Sequence, residues 1–157
     1  LQTRGFFATK RYLYRANFDP HLLPVLISTD TFSFENVENA DTNKIVGTDH
    51  GLGEFLEFKF LKGLVKVDSY RLKRTKDKDT LKGWDVIGIN TKGEEIIISS
   101  IKEKNINDHK LLDVYPSNDK ETKFKSIKIV NTTKNWNGQI QNVLKLHHFD
   151  FFGDYYE

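Results

Sequence analysis

The chain has 157 residues, a length that suits one domain, and 38% of its residues are hydrophobic and 29% charged, as in ordinary globular proteins. Its 24 basic and 22 acidic residues give a net charge of +2, which is too even to indicate a polyanionic partner. The absence of cysteine excludes disulfides, thiolate nucleophiles and Cys-ligated zinc, and no apolar run approaches the roughly 18 residues of a membrane-spanning helix.

Short β-branched and aromatic runs, separated by Gly, Asn, Asp and Lys clusters, predict an all-β domain over residues 1–157. No window of 11 or more residues keeps the apolar spacing of a helix. The predicted strands are, in chain order, 6–14, 25–29, 55–60, 69–74, 84–89, 95–100, 126–130 and 143–152. Eight short strands without helices favour an antiparallel jelly-roll β-sandwich. We expect the first and last strands to bring the chain ends close together.

Alternation along the strands selects a core. In the strand 55–60, apolar residues occupy every second position, so one face is predicted to be buried. The predicted core residues are Leu56, Phe58, Phe60, Tyr70, Leu72, Trp84, Val86, Ile127, Ile129, Leu144 and Leu146. The last strand changes phase, because its apolar residues are even-numbered before His147 and odd-numbered after His148. A β-bulge at these histidines is predicted, since one extra residue reverses the facing.

Five sequence segments and the closing hairpin resemble the discoidin domain, also called the coagulation factor 5/8 type C domain. The five segments are residues 36–48, 54–60, 70–74, 82–84 and 90–93. The hairpin, residues 134–153, opens on Asn-Trp-Asn-Gly and closes on Phe-Phe-Gly. The resemblance covers about residues 6–153 and implies a galactose-binding-like jelly roll that binds and does not catalyse. The branch most resembled lacks cysteine and occurs as a module of larger intracellular eukaryotic proteins, often beside a BTB domain.

The segment 36–48 departs from the pattern that holds a structural calcium in the sugar-binding relatives. There, an Asp-Gly-x-x-x-Thr loop supplies oxygen ligands, whereas this chain has Asn39, Ala40 and Lys44 at those positions. An ammonium group repels a cation, and Asp41 is the only carboxylate left in the loop. We therefore expect neither a metal nor another cofactor.

Catalytic signatures are absent from the sequence. It contains no Gly-x-Ser-x-Gly elbow, no phosphate-binding Gly-x-x-x-x-Gly-Lys loop and no Gly-x-Gly-x-x-Gly. His147 and His148 are adjacent, so on a strand they would point to opposite faces and could not share a metal. Asp150 lies between two phenylalanines and is expected to alternate outward. The prediction is a protein that is not an enzyme.

The resemblance places ligand contacts on loops at one end of the sandwich. The residues that it implies are Asp49, His50, Arg74, Lys76, Asn135, Trp136 and Asn137. An aromatic ring can stack on a sugar while amides and a guanidinium bond its hydroxyls. The alternatives are that Trp136 covers its own hairpin and that Arg74 is a solvated charge.

Three functions remain open. The first is a protein-interaction module within a larger intracellular assembly, in which the chain is a fragment or module of a larger protein. The missing disulfide and missing leader favour this intracellular location over a secreted or cell-surface one. The second is a lectin-like carbohydrate-binding module, which Trp136 and its flanking Asn residues favour. The third, a binder of nucleic acid or anionic lipid through the basic segment 61–83, is weakened by the aspartates within it and by the low net charge.

Overall fold

A computed structural model describes residues 24–28, 46–47, 55–60, 63–74, 81–102, 111–116, 121–132 and 145–156. These residues form nine strands. They are β1 (Pro24–Ser28), β2 (Val46–Gly47), β3 (Phe55–Phe60), β4 (Leu64–Arg74), β5 (Trp84–Asn90), β6 (Glu95–Ile101), β7 (Leu112–Val114), β8 (Phe124–Asn131) and β9 (Lys145–Tyr156). No helix occurs within these ranges, and so none that could cross a membrane.

All the strand pairs are antiparallel, and they form two layers. One layer has the order β1-β3-β8-β5-β6 and the other the order β7-β4-β9-β2, with a single bridge between β4 and β8 at Val65 and Phe124. Aromatic rings join the layers, since Phe58 of β3 stacks on Phe149 of β9 at 5.5 Å and Phe60 meets Phe151 edge-on at 5.9 Å. The predicted antiparallel jelly-roll β-sandwich is therefore confirmed as a fold class.

The predicted core is confirmed wherever the structure describes it. The nine predicted residues from Leu56 to Ile129 are all at most 5% exposed. Leu144 lies outside the described residues, and so does the side chain of Leu146. The turn predicted at 90–93 is also present, where Asn90 Oδ1 accepts hydrogen bonds from two backbone N–H groups and Gly93 has a φ of +83°.

The predicted bulge at the two histidines is confirmed. Lys73 pairs with His148, whereas the next residue, Arg74, pairs with Leu146, so β9 has one extra residue at His147. A second bulge was not predicted. It lies at Asp68 of β4, where Val67 pairs with Gly153 and Ser69 with Phe152. Burial therefore passes from odd to even positions within β4, which is why only the half from residue 69 onward was predicted as a strand.

The strand count of eight is not reproduced. The strand predicted at 6–14, and with it the predicted approach of the chain ends, lies outside the described residues. β2 and β7 were missed because two and three residues are too few to show a period of two. β9 continues to Tyr156, beyond the predicted end at residue 152.

Candidate functional site

Strand ends at one end of the sandwich carry the loops in which the predicted site residues occur. Phe55 pairs with Val130, so β3 begins where β8 ends, and Trp84 at the start of β5 pairs with Asn131. In the other layer, Arg74 at the end of β4 and Val46 of β2 both pair with Leu146, near the start of β9. We call this the loop-bearing end. The connections 48–54, 75–83 and 132–144 all leave from it.

Arg74 links the two layers at the loop-bearing end. Its side chain is buried, at 2% exposure, and its Nη1 donates a hydrogen bond of 2.6 Å to the backbone carbonyl of Leu81. The expectation that Arg74 is a solvated charge is therefore wrong. The lysines that surround Arg74 in sequence suggested a solvated position. In the structure, however, the last residue of β4 directs its guanidinium toward the residues that precede β5 in the other layer.

The hydrogen bond of Arg74 holds together the two ends of the segment 75–80. Leu81 is buried at 1% exposure and immediately precedes the turn into β5, so its carbonyl is a fixed acceptor. A second bond joins the neighbouring loop, because the N–H of Thr132 donates to the carbonyl of Gly83 at 3.3 Å. The connections 75–83 and 132–144 are therefore tied to one another at their bases. Sequence reasoning missed Leu81, since nothing in a side chain predicts the use of a backbone carbonyl.

A buried hydrogen-bond chain supports the loop-bearing end from within the core. Trp84 Nε1 donates to the hydroxyl of Tyr70 at 3.1 Å, and that hydroxyl also bonds Ser99 Oγ at 2.9 Å. Burial raises the pKa of Tyr70 above its ordinary value, and the charge of Asp85 raises it further, while the bonds from Ser99 and Trp84 oppose the shift. The phenol therefore stays neutral and keeps both partners in place.

Six of the seven predicted site residues lie outside the described part of the chain. They are Asp49, His50, Lys76, Asn135, Trp136 and Asn137. The strand register brings together the bases of the loops that contain them, but their own positions stay predictions. The assignment of Arg74 to a ligand also stays a prediction, and its burial favours the role of fixing a loop.

Asp150 departs from its expected environment. It alternates away from Phe149 and Phe151, as expected, but it is only 3% exposed, so the outward position does not leave the carboxylate in solvent. Asp150 lies opposite Arg71 in the register, and its Oδ1 accepts a hydrogen bond from the N–H of Phe151 at 2.8 Å. A neighbouring cation and a hydrogen bond are the conditions under which proteins bury a carboxylate.

The described residues contain no cluster of three or more His, Asp or Glu side chains able to hold a metal ion. The loop at Asn39, Asp41 and Lys44, where the related calcium site would fall, lies outside these residues. The expectation that the chain binds no metal therefore stays a prediction.

Known structures share this fold. Over 85% of this chain and 99% of the other, the chain matches the family 32 carbohydrate-binding module from Streptococcus pneumoniae EndoD, with a TM-score of 0.60 and 14% identity. It matches CBM62 from Clostridium thermocellum Xyl5A over 87% and 98% of the two chains, with a TM-score of 0.65 and 16% identity. The galactose-binding-like jelly roll implied by the discoidin resemblance is thus confirmed as a fold.

A third match is the family 32 module of C. perfringens NanJ, determined in complex with galactose, over 84% and 95% of the two chains, with a TM-score of 0.62 and 14% identity. This chain also matches truncated AlyQ, which has a CBM32 and an alginate lyase domain, and it spans 33% of the length of that protein. No family model matches the sequence, and no curated protein matches it.

Proposed function

We propose that this chain is a non-catalytic carbohydrate-binding module that holds its ligand at the loop-bearing end. The observation that carries the proposal is the shared fold: three carbohydrate-binding modules match 84 to 87% of this chain and 95 to 99% of their own. The sequence favoured a protein partner and kept the glycan as its alternative. The fold comparison reverses that order.

The loop-bearing end suits such a ligand chemically. Trp136 offers a ring for stacking on the apolar face of a pyranose, and Asn135 and Asn137 offer amides that can donate to and accept from hydroxyls. Asp49 and His50 follow β2 and add acceptors and donors from the neighbouring loop. This arrangement is common, since loops carry recognition while a rigid scaffold of sheets holds their bases.

Arg74 acts in this proposal as a positioning residue. Its bond to Leu81 fixes the base of the segment 75–80, which contains Lys76. Contacts that are held in place before a ligand arrives lower the entropy cost of binding. The site therefore depends on Arg74 even though the buried guanidinium does not face solvent.

The test is a glycan array with the wild-type chain, Trp136→Ala and Ile97→Ala. Ile97 is the control, because it is 56% exposed on β6 and belongs to no predicted loop contact. We expect glycan binding that Trp136→Ala abolishes and Ile97→Ala leaves unchanged. An array without signal, together with a protein partner captured from extract, would overturn the proposal in favour of the protein-interaction module.

A further inference from the structure

The outward face of β7, β4 and β9 carries a cluster of polar and aromatic side chains. Leu112 and Val114 of β7 pack against the core, so Asp113 and Tyr115 alternate to the outside. Arg71 of β4 lies opposite Asp113 in the register, and Phe152 of β9 lies on the other side of Arg71. We call Arg71, Asp113, Tyr115 and Phe152 the β7 face.

The guanidinium of Arg71 is held in one orientation. Its Nε donates to Asp113 Oδ1 at 2.6 Å and its Nη2 to Oδ2 at 3.2 Å, while its Cζ lies 5.2 Å from the centre of the Phe152 ring. A guanidinium has five N–H donors, so three remain after these two bonds. The side chains of Arg71 and Asp113 are 35% and 36% exposed, so a ligand can reach them.

Tyr115 extends this planar pair with an aromatic surface. It is 72% exposed, the largest exposure among the exposed large hydrophobic residues of the described chain. Tyr115 follows Asp113 by two residues, and both are exposed while Leu112 and Val114 pack against the core, so the ring lies on the same side as the bonded Arg71–Asp113 pair. A fixed donor–acceptor pair beside an open ring matches two neighbouring hydroxyls and the apolar face of one sugar.

The charges on this face select a neutral ligand. Arg71 is hydrogen-bonded to Asp113 and lies opposite the buried Asp150 in the register, so two carboxylates surround one guanidinium. An acidic sugar would therefore meet more repulsion than attraction.

We propose that the β7 face is a second carbohydrate site, in which one neutral sugar unit stacks on Tyr115 and hydrogen-bonds Arg71 and Asp113. The inference rests on the proposed carbohydrate function but not on the loop-bearing end. The arrangement is preorganised, because the bond pair and the Phe152 ring fix Arg71 before any ligand arrives.

The experiment titrates the isotope-labelled full chain with galactose, galacturonate, lactose and cellotriose and follows backbone amide shifts by NMR. The variants are Tyr115→Ala, Tyr115→Phe, which keeps the ring, and Trp136→Ala. We expect perturbed amides in β7 and around Arg71, a tenfold or greater loss of affinity there in Tyr115→Ala, and a loss below threefold in Tyr115→Phe. An unchanged melting temperature of Tyr115→Ala would show that the loss is not one of folding.

The outcomes separate the two proposals. Shifts confined to the loop-bearing end, abolished by Trp136→Ala and unaffected by Tyr115→Ala, would overturn the second site and leave the proposed function standing. Shifts on the β7 face that survive Trp136→Ala support the second site whatever happens at the loops. Stronger binding of galacturonate than of galactose at Tyr115 would overturn the inference of a neutral sugar. A protein partner that Tyr115→Ala releases, with no sugar shifting these amides, would overturn the second site itself.

Discussion

Replacing Trp84 with alanine tests the core on which both proposed sites depend. Trp84 is fully buried, and its indole N–H bonds the hydroxyl of Tyr70 at 3.1 Å. The hydroxyl keeps Ser99 as a partner after the substitution, so the lost packing and the cavity dominate the cost. Truncation of a buried Trp costs about 3–5 kcal/mol, out of the roughly 5–15 kcal/mol that stabilise a domain.

At roughly 2–4 °C per kcal/mol for a chain of this size, we expect the melting temperature of Trp84→Ala to fall by about 6–20 °C. Circular dichroism melts and urea titrations measure the change. The matched control is Tyr115→Ala, which truncates an aromatic residue that is 72% exposed and should cost within about 0.5 kcal/mol. Melts of Trp84→Ala and wild type that coincide within a degree or two would refute the burial and register described for β5.

Three further substitutions probe single contacts. Gly88→Ala should cost about 1–3 kcal/mol in urea unfolding, because an added Cβ would overlap the ring of Phe124, and Phe124→Leu in the same chain should recover part of that loss. Tyr70→Phe should flatten the alkaline pH dependence of stability. Because the folded-state pKa of this phenol is raised, its contribution to stability is complete below about pH 10 and is lost as the pH rises through the folded pKa. Urea midpoints of both chains on either side of that pH measure the loss of stability. A loss that persists unchanged in Tyr70→Phe would show that this hydroxyl is not its cause. Arg74→Met should cost about 1–3 kcal/mol, because it leaves the Leu81 carbonyl without its donor. It should also speed tryptic cleavage in the segment 75–80. Equal cleavage rates in the two chains would count against the role of Arg74 in holding this segment.

The elements that the sequence predicted well are those whose side chains alternate without interruption. In β3, burial falls on Leu56, Phe58 and Phe60, as a period of two requires. The bulge at His147 was also predictable, because two runs of apolar residues out of phase can share one strand only if an extra residue separates them. The same logic could have found the bulge at Asp68, where Val65 and Val67 precede Tyr70 and Leu72, and with it the first half of β4.

Other features depend on contacts that a sequence pattern does not contain. Arg74 can be buried because a backbone carbonyl accepts a hydrogen bond from its guanidinium, and every residue has such a carbonyl. Asp113 became a partner of Arg71 only through the pairing of β7 with β4, and β7 is a strand of three residues. Long-range partners of short strands are chosen by tertiary packing, so local periodicity could not predict the β7 face.

The low identity to the matching structures shows that this fold does not depend on most individual side chains. Identities of 14 to 16% accompany TM-scores of 0.60 to 0.65, so the fold is kept while most side chains differ. In this chain the frame rests on buried contacts such as Phe58 with Phe149 and Trp84 with Tyr70. The anchor of the segment 75–80 is a hydrogen bond to a main-chain carbonyl, which any residue at position 81 could supply. The residues between Arg74 and Leu81 can therefore differ in sequence without loss of the bond that holds the base of the loop.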